Sequence, residues 1–374
     1  MKKHNLVLAW LAPFAALIFL LFCACPIAGT GDYEVAAVPA AAQPAEPATI
    51  HMTFAGDCTF GSFNGQGGAP RFPHVYETSG SLTYPFDGVK EIFARDDLTI
   101  INFEGTLTDA GQAARKTYFF KGPAAYADIL PAASVEAATL ANNHSRDYLD
   151  QGFEDTVEHL SRAGIGLMYE DRPFVTKING AEVVLIADCA VTASNSAAEN
   201  AALEAVVARR VLRLIGQYKR PENIVVVNIH WGVERSAVPT AWQTKTARAW
   251  IDAGADLIVG HHPHVPQGIE RYMGRYIVYS LGNFAFGGNS TAPVPHTFLL
   301  HANFSVLPGG AASYDIAVTP CYITSSRAKD GEGLLRNDYR PQAVTGHEAE
   351  GVLQMLRERS AMIPGGIKEL RLQG

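Results

Sequence analysis

Cysteine is scarce in this chain and poorly placed for bonding. Of 5 cysteines in 374 residues, two are Cys23 and Cys25, and Cys58, Cys189 and Cys321 lie far apart. That spacing offers neither a disulfide framework nor a cysteine-based metal knuckle, so each of the last three reads as a small buried hydrophobe. Basic runs are missing too. Lys and Arg number 30 against 37 Asp and Glu, for a formal charge of −7, and no Lys/Arg-rich stretch interrupts the acidic balance. Nucleic acid is therefore disfavoured as a partner. There is no internal repeat. No arginine-rich clamp marks a phosphate site; Arg71, Arg115 and Lys121 are the only basic residues in suggestive places.

What is present is an ordinary globular composition, 48% hydrophobic and 18% charged with 34 glycines, enough to bury one large core or two moderate ones. The start differs from the rest. Lys2 and Lys3 precede an apolar stretch over residues 5–22, then Cys23-Ala24-Cys25. Residues 1–25 read as an export signal or a membrane anchor at the lower edge of spanning length. A lipoprotein signal modified at Cys25 is a third option, although Phe22 and Cys23 fit it poorly. Residues 26–48 form an Ala/Pro-rich linker too poor in large apolar side chains to pack. The chain is thus expected to be exported, acting in the periplasm or elsewhere outside the cytoplasm.

From Thr49 strand and helix signals alternate. Residues 50–55, 98–103, 183–187, 224–229, 257–259 and 276–279 read as strands. The run 224–229 is almost continuously β-branched, as in a central strand covered on both faces. Residues 89–94, 125–130, 152–163, 198–218 and 240–253 read as helices, with Gly164 and Gly254 as stop signals. Residues 58–86 read as a long loop. Two more alternating segments, 297–306 and 312–319, read as antiparallel or edge strands. This pattern predicts one α/β domain over residues 49–320. Residues 321–374 read as a C-terminal extension, helical over 348–359, packed on or near that domain.

Polar residues recur where these strands end. Asp57, Glu104, Asn143, His144, His230, His262 and His264 each follow an apolar run, and strand carboxyl ends form the ligand crevice of α/β sheets. A buried carboxylate there needs a partner or a metal. Mixed nitrogen and oxygen donors suit Mn, Zn or Fe rather than calcium, and six ligands exceed one tetrahedral site, so two divalent ions are the economical reading. Blander readings exist: Gly56-Asp57 is also an ordinary turn, and Asn142-Asn143-His144 could cap a helix. On a strand, His262 and His264 would share a face while His261 points away as a supporting residue.

The segments Phe54-Ala55-Gly56-Asp57, Asn102-Phe103-Glu104-Gly105, Ala141-Asn142-Asn143-His144 with Asp147 and Gly152, His230-Trp231-Gly232-Val233-Glu234, Gly260-His261-His262-Pro263-His264-Val265-Pro266-Gln267-Gly268 and Tyr279-Ser280-Leu281-Gly282-Asn283-Phe284 together carry a resemblance. In this order the chain resembles the bacterial capsule-synthesis CapA proteins, associated with poly-gamma-glutamate capsules and related to calcineurin-like metallophosphoesterases. The resemblance implies a four-layer α/β/β/α sandwich. It also implies Asp57, Glu104, Asn143, His230, His262 and His264 around two divalent metals, with His144 as the acid toward a leaving group. Two departures stand out: Thr59 occupies a position that is usually histidine, and Glu104 one that is usually aspartate.

Asp147 is the nearest carboxylate able to fix the His144 tautomer. Glu234 would lie one helical turn after His230, if a helix begins there, and could orient that ring or bind substrate; Asn283 joins it in a supporting role. Two functions follow. One is a metal-dependent hydrolase acting on phosphoester or amide bonds of an envelope polymer. The other is a non-catalytic role in assembly, export or anchoring of an anionic polymer, alongside membrane-bound synthesis machinery.

Overall fold

The computed structural model describes residues 47–62, 70–192, 197–307 and 312–373. The expected signal or anchor and most of the expected linker lie outside the described residues. Among those described, no helix is long and apolar enough to cross a membrane.

The fold is mixed α/β, built on two main sheets. The eight-stranded sheet runs Gln342–Ala343, Ser313–Tyr322, His296–Val306, Ala48–Thr59, Leu98–Phe103, Ala137–Thr139, Gly166–Met168, with Asn283–Phe286 pairing to the far end of Ala48–Thr59. The six-stranded sheet runs Ile269–Tyr272, Arg275–Val278, Leu257–His261, Ile224–His230, Ala181–Cys189, Phe174–Ile178. The larger sheet is antiparallel from Gln342–Ala343 to Ala48–Thr59 and parallel from there to Gly166–Met168, whereas the smaller one has parallel middle strands with an antiparallel strand at each edge.

Side-chain alternation sorts the strands into faces. Ile50, Met52, Phe54, Leu98 and Ile100 of the larger sheet share one apolar cluster with Val183, Leu185, Val226, Leu257 and Val259 of the smaller one, so that cluster lies between the sheets. The opposite face of the larger sheet packs Ile101, Phe103 and Ala138 against Phe72, Phe93, Leu130 and Leu160 from short helices and Leu149–Arg162. The outer face of the smaller sheet packs Val225, Val227 and Ile258 against the helices Ala197–Tyr218 and Ala241–Asp252. Thr240 caps the latter helix through a capping box with Gln243, and Gly254 follows it at φ 112°.

One segment differs from expectation. The Gly/Pro/aromatic stretch read as loop contains the helix Phe72–Ser79, held by tertiary contact: Phe72 stacks on Phe60 and meets Tyr126 and Tyr339 edge-on. The C-terminal segment is woven into the fold. Its helix Gly346–Ala361 lends Val352, Leu353 and Leu356 to the inter-sheet cluster.

Leu356→Ala is expected to lower the unfolding free energy by about 2–5 kcal/mol, measured as a shifted denaturation midpoint; an unchanged midpoint would mean that helix is no part of the cooperative core. A second expectation concerns His301, which is 4% exposed, with ring nitrogens 3.0 and 2.9 Å from the Thr53 and Thr319 hydroxyls. Burial pulls its pKa from 6.5 down to about 4. The unfolded chain therefore takes up this proton at a higher pH than the folded one, and stability should fall as pH drops from about 6.5 to about 4. His301→Gln should make that decline shallower in pH-dependent melting.

Candidate metal centre

The candidate centre is the polar rim of the inter-sheet core, at the carboxyl ends of the parallel strands. Parity along Leu98–Phe103 turns Asn102, and then Glu104, to the face that carries Leu98 and Ile100. Along Ile224–His230 it turns His230 to the side of Ile224 and Val226. Asp57 arrives there through an irregularity. Phe54 pairs with Ile100 but Asp57 with Asn102, so an extra residue bulges between them and reverses the face Asp57 would otherwise take. Gly56 permits the close approach that follows, because a Cβ there would sit 2.0 Å from the Gly282 carbonyl oxygen. The Asp57 amide donates to that same oxygen at 2.9 Å.

Asp57 and Glu104 are fully buried. Asp57 Oδ1 accepts from Asn102 Nδ2 at 2.8 Å and lies 3.2 Å from His261 Nδ1; Oδ2 lies 3.3 Å from His264 Nδ1. Glu104 Oε1 lies 3.8 Å from His264 Nε2 and 3.9 Å from His144 Nε2. His230 Nε2 is 2.9 Å from Asn143 Oδ1 and 3.1 Å from His262 Nδ1. His264 Nδ1 meets Asn283 Oδ1 at 2.8 Å. Donor atoms of Asp57, Glu104 and His230 gather within 4.8 Å of one another, as do those of Glu234, His262 and His264.

Three placements depart from the sequence-based expectations. The strand Leu257–His261 ends before the histidine pair; His262 and His264 lie on a turn at φ 96° and 57°, and it is this turn rather than strand alternation that gathers their rings. His261 does not point away. It shares parity with Leu257 and Val259, pairs with His230 across the strands and faces Asp57. No helix begins at His230 either. Gly232 and Arg235 take positive φ, the next helix starts at Ala241, and Glu234 reaches His262 and His264 from a loop. Nor does Asn142-Asn143-His144 cap a helix: Asn142 ties Phe103 and Asn102 to the turn, at 2.8 and 3.1 Å from its Nδ2. Thr59 donates to the Glu104 carbonyl oxygen at 2.6 Å and so braces that residue's backbone.

Burial and charge act together here. Burial would raise the Asp57 carboxyl, but contacts with His261 and His264 outweigh it and hold the group well below its ordinary value. Burial pushes Glu104 well above its ordinary value, and the charge on Asp57 adds to that. His264 is driven up to about 10: burial opposes this, and the Glu104 and Asp57 carboxylates prevail. Burial and the His264 charge pull His262 down to about 3. Asp57 and His264 are thus shifted toward their charged forms and Glu104 toward its neutral one, each by the groups packed against it. Glu104 Oε1, His262 Nε2 and both ring nitrogens of His261 are buried without an aligned hydrogen-bond partner. His261 Nδ1, although near Asp57, is not aligned to donate to it. Oriented lone pairs on carboxylate and imidazole with no protein donor to satisfy them are compatible with a divalent metal.

Beside this cluster stands His144. Its Nδ1 lies 2.8 Å from Asp147 Oδ2, which also accepts from the Phe120 amide at 2.6 Å. Its other nitrogen faces Glu104. Asn102, Lys116 and Asn142 belong to this neighbourhood and were not singled out from sequence. The Asn102 signal was present, inside Asn-Phe-Glu at a strand end; Lys116 stands in a loop and offers none.

A family model described as bacterial capsule synthesis protein PGA_cap matches residues 51–288. The chain belongs to that family. It is 32% identical over 249 residues to the PGA biosynthesis protein CapA of Bacillus subtilis (strain 168), 63% of each chain. It is 31% identical over 304 residues to the capsule biosynthesis protein CapA of Bacillus anthracis, 76% of this chain and 69% of that one. A probable polyglutamine synthesis accessory protein of Mycobacterium tuberculosis (strain ATCC 25618 / H37Rv) is 30% identical over 208 residues, 50% of this chain and 55% of that one. The match therefore spans just under two thirds of the Bacillus subtilis protein's length.

If the centre takes a divalent ion, prolonged chelation should lower the melting temperature and Mn²⁺ or Zn²⁺ should restore it. Ligand at 100 times its dissociation constant stabilises by about 2.7 kcal/mol. Identical melting with and without chelator would speak against a bound ion.

Proposed function

We propose that this protein is an exported, divalent-metal-dependent hydrolase serving capsule or poly-gamma-glutamate metabolism, acting on phosphoester or amide bonds. In this reading the two sheets with helices on their outer faces are the α/β/β/α sandwich of metallophosphoesterases. Asp57, Glu104, Asn143, His230, His262 and His264 hold two ions, Mn, Zn or Fe, with Glu234 a further donor and His261 and Asn283 steadying the set. The substrate is an anionic envelope polymer or its precursor, handled beside membrane-bound synthesis machinery; nucleic acid has no place in it. The observation that carries the proposal is the convergence of two buried carboxylates and several imidazoles with unsatisfied lone pairs, next to a separate histidine–carboxylate pair. A purely structural metal would need no such pair.

Ions bound there would acidify a shared water and neutralise charge developing on substrate oxygens. The protein's own groups do the rest. Asp147 accepts the Nδ1 proton of His144 and fixes the tautomer. To act as the acid, His144 must also hold a proton at Nε2, the atom facing Glu104, and it is this second proton of the imidazolium that would pass to the leaving group. The names of the relatives favour a second reading, in which the domain assists polymer assembly, export or anchoring without turnover.

The experiment is metal analysis of the purified protein, then a screen of phosphodiesters, phosphomonoesters and γ-glutamyl peptides with Mn²⁺ or Zn²⁺. Turnover in any class supports hydrolysis; two bound ions and no turnover in any class would favour assembly. His144→Ala should keep the metal and lose roughly 10²–10⁴-fold in kcat. Full activity in that variant would remove His144 from the acid role.

A further inference from the structure

Residues 114–120 cross the His144 turn as a strap that is fastened to Asp147 at three points. The Ala114 amide donates to the Asp147 carbonyl oxygen at 2.8 Å, the Phe120 amide donates to Asp147 Oδ2, and the Phe120 ring packs on the His144 ring with centroids 4.7 Å apart. Between them Lys116 points inward. Its side chain is 10% exposed, and Nζ donates to Asp147 Oδ1 at 2.7 Å and to the Asn143 carbonyl oxygen at 2.9 Å. The other basic residue of this region with an inward look, Lys121, is turned elsewhere: its Nζ donates to the Ala110 carbonyl oxygen and lies over the Tyr148 ring.

We infer that Lys116 is a positioning residue for His144, acting through Asp147. A fully buried carboxylate without a cation would take up a proton or swing toward water, and Asp147 is fully buried. With Lys116 on Oδ1, and the Phe120 amide and His144 on Oδ2, both oxygens are engaged and the carboxylate plane is fixed. An ionised carboxylate only accepts, so Nδ1 of His144 carries the proton and donates it. The 3.2 Å separation between Lys116 Nζ and His144 Nδ1 is then a contact between two donors, tolerated because both serve the same anion. The consequence is at the far side of the ring, where Nε2 is the nitrogen left free to gain or give up a proton and is held toward Glu104. The same ammonium pins the backbone of Asn143, whose side chain meets His230, so one cation sets the register of the acid against the metal cluster. The effect on turnover rests on the hydrolase reading above; the effect on the ring does not.

The test uses full-length Lys116→Met, which keeps the length and removes the charge, and Lys116→Arg, which keeps the charge. In the wild type, ¹⁵N signals of His144, assigned by their loss in His144→Gln, should report a single tautomer protonated at Nδ1. In Lys116→Met they should move to averaged values, and in Lys116→Arg stay close to wild type. On whichever substrate the screen identifies, Lys116→Met should lose roughly 10–100-fold in kcat, with KM and bound metal unchanged. His144 signals identical in the wild type and a folded Lys116→Met would overturn the inference, as would unchanged kcat. Absence of turnover in the wild type would count against the hydrolase reading alone, and the ring signals would still decide the role of Lys116.

Discussion

Two carboxylates buried side by side govern this structure. Asp57 and Glu104 have left water at the end of an apolar sheet interface, and neither can stay charged there without compensation. Everything around them answers that demand. Asn102 donates to both, at 2.8 and 3.3 Å, the imidazoles of His261 and His264 crowd Asp57, and the two carboxylates push the His264 pKa up against the effect of its burial. The protein thereby gathers a donor set compatible with a divalent cation.

The backbone makes unusual concessions to keep that arrangement. The strand through Asp57 takes an extra residue to turn its carboxylate inward, and Gly56 lets the 282 turn close behind it. His262 and His264 occupy left-handed conformations that side chains rarely adopt. Trp231, directly after His230, is buried, donates to the Tyr279 carbonyl oxygen at 2.9 Å and stacks on Trp250, which anchors the end of its strand. From the other side the C-terminal helix holds the stretch that follows the histidines: Arg359 donates to the Pro266 carbonyl oxygen, and the Ile269 amide donates to Ser360 Oγ. The imidazole turn is clamped at both ends.

The strands were legible in the sequence because burial on both faces demands unbroken apolar runs, as in 224–229, and the helix Ala241–Asp252 because Thr240 and Gly254 mark its ends. That Asp57, Glu104, Asn143, His144, His230, His262 and His264 follow apolar runs was legible in the sequence, whereas the six-ligand set was what the family resemblance implied. What escaped reading was tertiary. Phe72–Ser79 carries no cap bond and forms where aromatic rings meet from distant parts of the chain. The orientation of His261 escaped because alternation was extended through a turn whose positive φ interrupts it. Lys116 escaped because a loop residue obeys no period; only the buried Asp147 explains where it points.

The order of the strands along the chain has a kinetic meaning. Ala48–Thr59 is the first strand among the described residues, yet its antiparallel neighbour is His296–Val306, with Ala48 opposite Val306. Its parallel partner Asn283–Phe286 is almost as remote. During synthesis the strand bearing Asp57 can pair on one side only, with Leu98–Phe103, and its other edge stays open until nearly the whole fold has been made. Contacts of such long range are slow to form, and an unpaired apolar edge is prone to aggregate. The donor cluster, drawn from residues 57 to 264, thus rests on contacts between distant parts of the chain.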